Sequence, residues 1–386
     1  MKWIGKRYDT GACVEITVLD GIIRSIEPVQ EQPGVPWISP GWIDLQVNGF
    51  SGFDVNGEQT TLEDVIGLSK SMFSCGVTSY CPTIVTGSFE RTKQALEMIH
   101  RGCEQDADVR KAICGIHVEG PYLSSEDGPR GAHDRAFIRN PDIAEFEAWQ
   151  QAAGGDITLV TIAPEREGAI AFIRWLVEQG IKVSLGHTMA STEQLQEAVA
   201  AGASLSTHLG NGSHPLLPRH PNYIWDQLAD DDLQAMFIAD GHHVPPNVLK
   251  SMFRAKRDQF ILVSDCVKFG GMAPGRYKSA IGNEVELLAN GRLHTVANPA
   301  ILSGSAQSLE RSVANAVVQV GISLKEAVDA VTVRPTKAMG LDQLGKLELG
   351  AAGNLTLFEF DESKELTISE TVLSGRSVYA AKETWV

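Results

Sequence analysis

Five side chains able to hold a metal ion or move a proton follow directly on apolar runs. They are Glu119 after AICGIHV, His187 after KVSLG, His208 after ASLST, Asp240 after AMFIA and Asp265 after QFILVS. A short apolar run bounded by turn residues reads as a buried strand, so each group stands at a strand end. Taken singly, each is more simply a helix cap or a satisfied core residue. On successive strand ends, however, they must lean into one mouth, and crowded, desolvated carboxylates and imidazoles are costly without a cation. A bound divalent ion removes that cost, so the pattern points to a metal site.

The runs that must position these groups number eight: WIDLQVNG, VTSYCPT, AICGIHVEG, ITLVTIAPE, KVSLGHT, ASLSTHL, AMFIADG and QFILVSD. Segments of helical period separate them. Thr61 and Asp64 open one as a capping box, with Leu62, Val65, Ile66, Met72 and Phe73 on one face, and 191–203 forms another. This alternation predicts an α/β fold, a (β/α)8 TIM barrel, with a doubly wound sheet as the alternative. A barrel gathers its chemistry at the C-terminal strand ends, where these residues lie. After Asp265 the pattern changes to a hairpin around Asn290-Gly291 and two helices near 307–320 and 324–332. Both chain ends read as short strands, with a turn signal at Asp20-Gly21. They predict a small β-sandwich domain built from 1–38 and 346–386, around a barrel spanning 39–345.

The 386 residues suffice for one large barrel and an accessory domain. A formal net charge of −15 argues against nucleic acid or an anionic membrane as partner, since both call for a basic face. An anionic substrate would therefore need a local positive cavity. No apolar run approaches the ~18 residues of a membrane span, and KWIGKRYDTG after Met1 lacks a signal-peptide core. The six cysteines include no Cys-x-x-Cys pair and read as reduced, mostly buried thiols. The expected compartment is the cytoplasm.

Several stretches, HVEGPYLSSEDGPRGAH (117–133), SLGHT (184–188), THLGNG (207–212), IADGHHV (238–244), LVSDC (262–266) and LSGSA (302–306), together resemble the N-acetylglucosamine-6-phosphate deacetylase family of the amidohydrolase superfamily. The similarity runs in order over roughly residues 38–350. It implies a metal-containing (β/α)8 barrel and hydrolysis of an acetamide to acetate and a free amino sugar phosphate. It gives Glu119, His187 and His208 to the metal, Asp265 to general base and acid, and His243 to the scissile carbonyl. His133, Asn211 and Gly212 become substrate contacts, and Asp240 an orienting group. His117 shares the face of Glu119 and is not taken as a ligand.

In the stretch PGWIDLQVNGFSG, Gln46 and Asn48 stand where related hydrolases carry His-x-His. Neutral amides are poor ligands for zinc or iron, so the expectation is one divalent ion per chain, zinc first, with iron or another ion as alternatives. The phosphate end departs more from the family. Arg219 keeps the family's spacing of eleven residues after His208, implying a phosphate contact across a homodimer interface, but HPLLPRHPNYIWDQLADDD is unlike the usual surroundings. His214, His220 and His242 have no assigned role, and Lys268 and Arg276 are further candidate anion contacts. An amidohydrolase for another N-acyl or cyclic amide, and a barrel without activity, are the competing readings.

Overall fold

The computed structural model describes residues 1–30, 33–279, 284–361 and 366–381. Eight parallel strands form the central sheet: Trp42–Val47, Val77–Val85, Ile116–Glu119, Ile157–Ile162, Lys182–Leu185, Leu205–Ser206, Gln234–Ile238 and Phe260–Val263. Each pairs with its neighbours in sequence, first through eighth. The ring is joined between the eighth strand and the first by a parallel bridge from Cys266 to Val47. The amides of Asn48 and Gly49 both donate to the Cys266 carbonyl, at 2.8 and 3.2 Å. Sequential pairing with joined ends leaves no reversal of strand order, which rules out the doubly wound alternative.

Strand alternation explains which side chains enter the barrel. Ile43 and Leu45 from the first strand and Ile261 and Val263 from the eighth share an interior cluster with Leu159, Met236 and Ile238. Trp42, Phe260 and Leu262 face outward and pack under the helices. Cys266 belongs to that outer layer, as alternation from Asp265 requires. The first helix, Leu62–Ser74, begins with the expected capping box between Thr61 and Asp64. The helix Thr192–Ala200 has another, between Ser191 and Gln194.

Strands from both chain ends meet in one seven-stranded sheet, joined where Trp37–Pro40 pairs with Leu355–Glu359. Trp3, Ile16, Ile23, Leu355 and Val372 share its core. Asp20 and Gly21 both have positive φ, 52° and 74°, as the two-residue hairpin turn there requires. Beyond the eighth barrel strand, Gly275–Lys278, Glu284–Leu287 and Leu293–Thr295 form a small antiparallel sheet. Its turn at 288–292 contains the expected Asn290-Gly291 pair, and its core of Phe269, Val285, Leu287 and Leu293 is separate from the barrel's. The following helices are Leu309–Asn315, Leu324–Asp329 and Val333–Met339, the last not anticipated. All six cysteines are free thiols. Among the described residues no helix is long and apolar enough to cross a membrane.

Candidate active site

Glu119, His187 and His208 converge at the C-terminal mouth of the barrel. Glu119 Oε1 lies 3.1 Å from His187 Nε2 and 3.0 Å from His208 Nε2, and the two imidazole nitrogens are 3.1 Å apart. Glu119 arrives in phase with its strand. The two histidines do not, because Leu185 faces outward and Thr207 takes the inward place on its own strand. At His187 and His208 the backbone turns left-handed, with φ of 50° and 28°, and both imidazoles enter the mouth. Such backbone costs a non-glycine residue about 1–2 kcal/mol, so packing must hold it. Gly212 shows how tightly: a Cβ there would stand 2.6 Å from His187 Nδ1, and its φ is 53°.

These groups fit a divalent ion. His187 donates its Nδ1–H to the Pro129 carbonyl at 2.7 Å, which leaves Nε2 as a lone pair in the neutral ring. That lone pair, one from Glu119 and the ring edge of His208 therefore point at one spot. Ligands of a shared ion at about 2.0–2.2 Å are spaced like this. Burial opposes ionisation of Glu119, but the two imidazoles outweigh it and hold its carboxyl well below the usual carboxylate range. It is anionic, as a ligand must be. His208 Nδ1 is buried without a hydrogen-bond partner.

Asp265 also has positive φ, 48°, and lines the same cavity of about 940 Å³. Burial, then the charge of Glu119, lifts its carboxyl to about 6. Asn48 Nδ2 donates to Asp265 Oδ1 at 2.8 Å. One member of the amide pair that replaces His-x-His therefore holds the candidate base. Gln46 is fully buried, and neither of its amide atoms has a partner. His243 Nδ1 meets Asp240 Oδ2 at 2.7 Å, and Asp240 Oδ1 accepts the amides of His242 and His243. Burial raises the Asp240 carboxyl, but the His243 contacts reverse that and hold it well below its ordinary range.

Below the mouth lies a chain of hydroxyls that ends on His117. Burial lowers that imidazole to about 4, so it is neutral, and Nδ1–H donates to the Leu45 carbonyl at 3.1 Å. Nε2 must then accept from Thr161 at 2.7 Å, Thr161 from Thr207 at 2.7 Å, and Thr207 from Ser184 at 2.6 Å. His117 is thus a fully satisfied floor residue.

His133 is brought closer to the ligand cluster than a purely sugar-contacting residue need be. Its Nε2 lies 3.2 Å from His187 Nε2, its Nδ1 meets Thr86 Oγ1 at 2.8 Å, and burial drives its ring down to about 3. Glu119, His133 and His187 have ligand atoms within 4.8 Å of one another. Asn211 and Gly212 line the cavity, with Asn211 Nδ2 donating to the His208 carbonyl. Arg219 is not brought in: it is exposed and does not line this chain's cavity. Arg276 pairs with Glu286 on the outside, and Lys268 with Asp54 at the cavity wall. His214 meets Tyr223, His220 is exposed, and His242 Nε2–H donates to the Asn290 carbonyl at 3.1 Å. Sequence reasoning missed the Asn48–Asp265 contact, Arg130 behind His133 and Arg292 on the hairpin turn. Only the Gln-x-Asn spacing hinted at the first.

Residues 37–378 match the amidohydrolase family. The chain is 30% identical to N-acetylgalactosamine-6-phosphate deacetylase of Escherichia coli O157:H7, over 89% of this chain and 90% of that protein. It is 31% identical to N-acetylglucosamine-6-phosphate deacetylase of Mus musculus, over 93% of this chain and 88% of that one. The crystal structure of N-acetylglucosamine-6-phosphate deacetylase from Pasteurella multocida superposes with a TM-score of 0.87 at 28% identity, covering 99% of this chain and all of that one (100%). A carboxylate and two imidazoles focused on one point of a barrel mouth, in a chain with these relatives, place it: the chain belongs to the amidohydrolase family, among the N-acetylglucosamine-6-phosphate deacetylases.

Proposed function

We propose that the protein hydrolyses the acetamide of N-acetylglucosamine 6-phosphate to acetate and glucosamine 6-phosphate. The observation that carries this reading is the meeting of Glu119 Oε1, His187 Nε2 and His208 Nε2 within 3.0–3.1 Å of each other, in one cavity with Asp265. Glu119, His187 and His208 would hold one divalent ion per chain, zinc by preference, with iron also suited to this mixed set. Such an ion, when bound, supplies Lewis acidity that polarises the amide carbonyl and acidifies the attacking water. His133 stands beside that spot and is read as a sugar contact.

The chain's own residues do the rest. Asp265, oriented by Asn48, takes a proton from the water as its oxygen attacks the carbonyl carbon. It then gives that proton to the nitrogen as the carbon–nitrogen bond breaks, because an unprotonated amine leaves poorly. Asp240 accepts Nδ1–H of His243 and fixes its ring, and a proton carried on Nε2 would steady the carbonyl oxygen as it becomes negative. Asn211 and Gly212 border the space for the sugar.

Arg219, exposed outside its own chain's cavity, is read as a cation offered to a second subunit of a homodimer. Six free thiols suit a reducing compartment, and we assign the cytoplasm. The test is acetate release by metal-loaded protein from N-acetylglucosamine, N-acetylgalactosamine and their 6-phosphates, beside N-acyl amino acids and cyclic amides. Turnover led by N-acetylglucosamine 6-phosphate is expected. Turnover confined to an amino acid or cyclic amide would overturn the reading.

A further inference from the structure

Among the described residues, Arg130, Lys268 and Arg292 are the lysine and arginine side chains lining the catalytic cavity. Two of them are already matched. Arg130 gives Nη2 to Asp127 at 2.7 Å and Nη1 to the His133 carbonyl at 2.6 Å, which fixes the loop behind His133. Lys268 Nζ pairs with Asp54 Oδ2 at 3.1 Å. Arg292 differs. Its Nη2 donates to the Pro299 carbonyl at 2.7 Å, and among the described residues no carboxylate pairs with its guanidinium.

The support under Arg292 is firm. It ends the 288–292 turn, which closes through Gly291 N–H to the Leu288 carbonyl and Leu288 N–H to the Arg292 carbonyl, both at 2.9 Å. Asn290 Oδ1 accepts the Arg292 amide at 3.1 Å. The Asn290 carbonyl in turn accepts His242 Nε2–H, and His242 shares the Asp240 cap with its neighbour His243. The turn is therefore tied to the same loop that carries a candidate catalytic group. A Cβ on Gly291 would overlap Gln307, so the turn is also packed from behind.

Charge gives this placement a use. The chain carries −15, and Glu119 and Asp265 add carboxylates to the cavity itself. A phosphate monoester entering such a site needs a cation not already neutralised, and guanidinium meets phosphate with two parallel hydrogen bonds. We propose that Arg292, on the tip of the 284–295 hairpin, is this chain's own ligand for the 6-phosphate of the substrate, whatever cation a second subunit adds. The proposal rests on the deacetylase reading and names the group that selects phosphorylated sugar within it.

The experiment compares wild type, Arg292→Gln and Arg292→Lys as full-length, metal-loaded protein. The readout is the ratio of kcat/KM for N-acetylglucosamine 6-phosphate to that for N-acetylglucosamine, together with inhibition by inorganic phosphate. Losing a charged hydrogen-bond partner should lower the ratio about tenfold or more in Arg292→Gln, mainly through KM. Arg292→Lys should fall between it and wild type, and the phosphate inhibition constant should rise in parallel. An unchanged ratio in Arg292→Gln, or a wild type that prefers the unphosphorylated sugar, overturns the proposal while acetate release leaves the deacetylase reading standing. Failure of wild type to deacetylate any amino sugar removes that reading instead. Thermal melts and ion content of each variant separate loss of phosphate recognition from misfolding.

Discussion

The floor of the cavity and its rim are built in opposite ways. On the floor, Glu119, His187, His208 and Asp265 leave strand ends that are buried and hydrogen-bonded on both sides, and each is under a tenth exposed. At the rim, Arg292 stands on a hairpin with its own small core, and Arg219 stands on an exposed loop outside the cavity. A barrel sheet fixes atoms to within the tolerance that proton transfer needs. Loops placed on that sheet can change without disturbing it, and they meet whatever part of the substrate does not react. Under the proposed function, reaction type is written in the strand ends and substrate choice in the loops.

The largest effect is expected at the floor. Asp265→Asn keeps the shape and the Asn48 contact region but removes the proposed base, so kcat should fall about 10³-fold with ion content unchanged by elemental analysis. Retained turnover would show that the floor does not hold the base. Gly212→Ala tests how rigid the floor must be. Its Cβ would press on His187 from 2.6 Å, in a backbone with φ of 53°. Ion affinity should fall on the order of tenfold to a hundredfold, read by competition with a chelating dye.

Asn48→Ala sharpens the distinction between holding an ion and orienting a base. It should lower kcat roughly tenfold while leaving ion affinity near wild type. Loss of the ion in that variant would mean that the amide position still serves the metal. The smallest effect is expected far from both regions. Thr61→Ala removes the capping box of the first helix and should cost about 1 kcal/mol of stability in denaturant unfolding, with kinetics unchanged.

The same contrast explains what could be read from the chain alone. Glu119 and Asp265 follow the alternation of their strands, so period and polarity locate them. His187 and His208 break that alternation through left-handed backbone, so their position at strand ends, and not their parity along the strand, pointed to the mouth. The terminal sheet announced itself through alternation and Asp20-Gly21, though its pairing joins residues more than 300 apart. Contacts that join distant segments left little trace. Asn48 reaches Asp265 across 217 positions, and the tie from His242 to Asn290 exists only because the hairpin folds back over the mouth. Arg219 keeps its spacing on a loop outside its own chain's cavity, and the contact its spacing implied is one made across a homodimer interface.

What Glu119, His187 and His208 hold together decides the chemistry of the cavity. Crystals of metal-loaded protein, with anomalous scattering recorded at the edge of the bound element, address this directly. The expected map has one strong peak per chain, about 2.0–2.2 Å from Glu119 Oε1 and the two Nε2 atoms. Two strong peaks at the mouth, or a single one bonded to other residues, would contradict it.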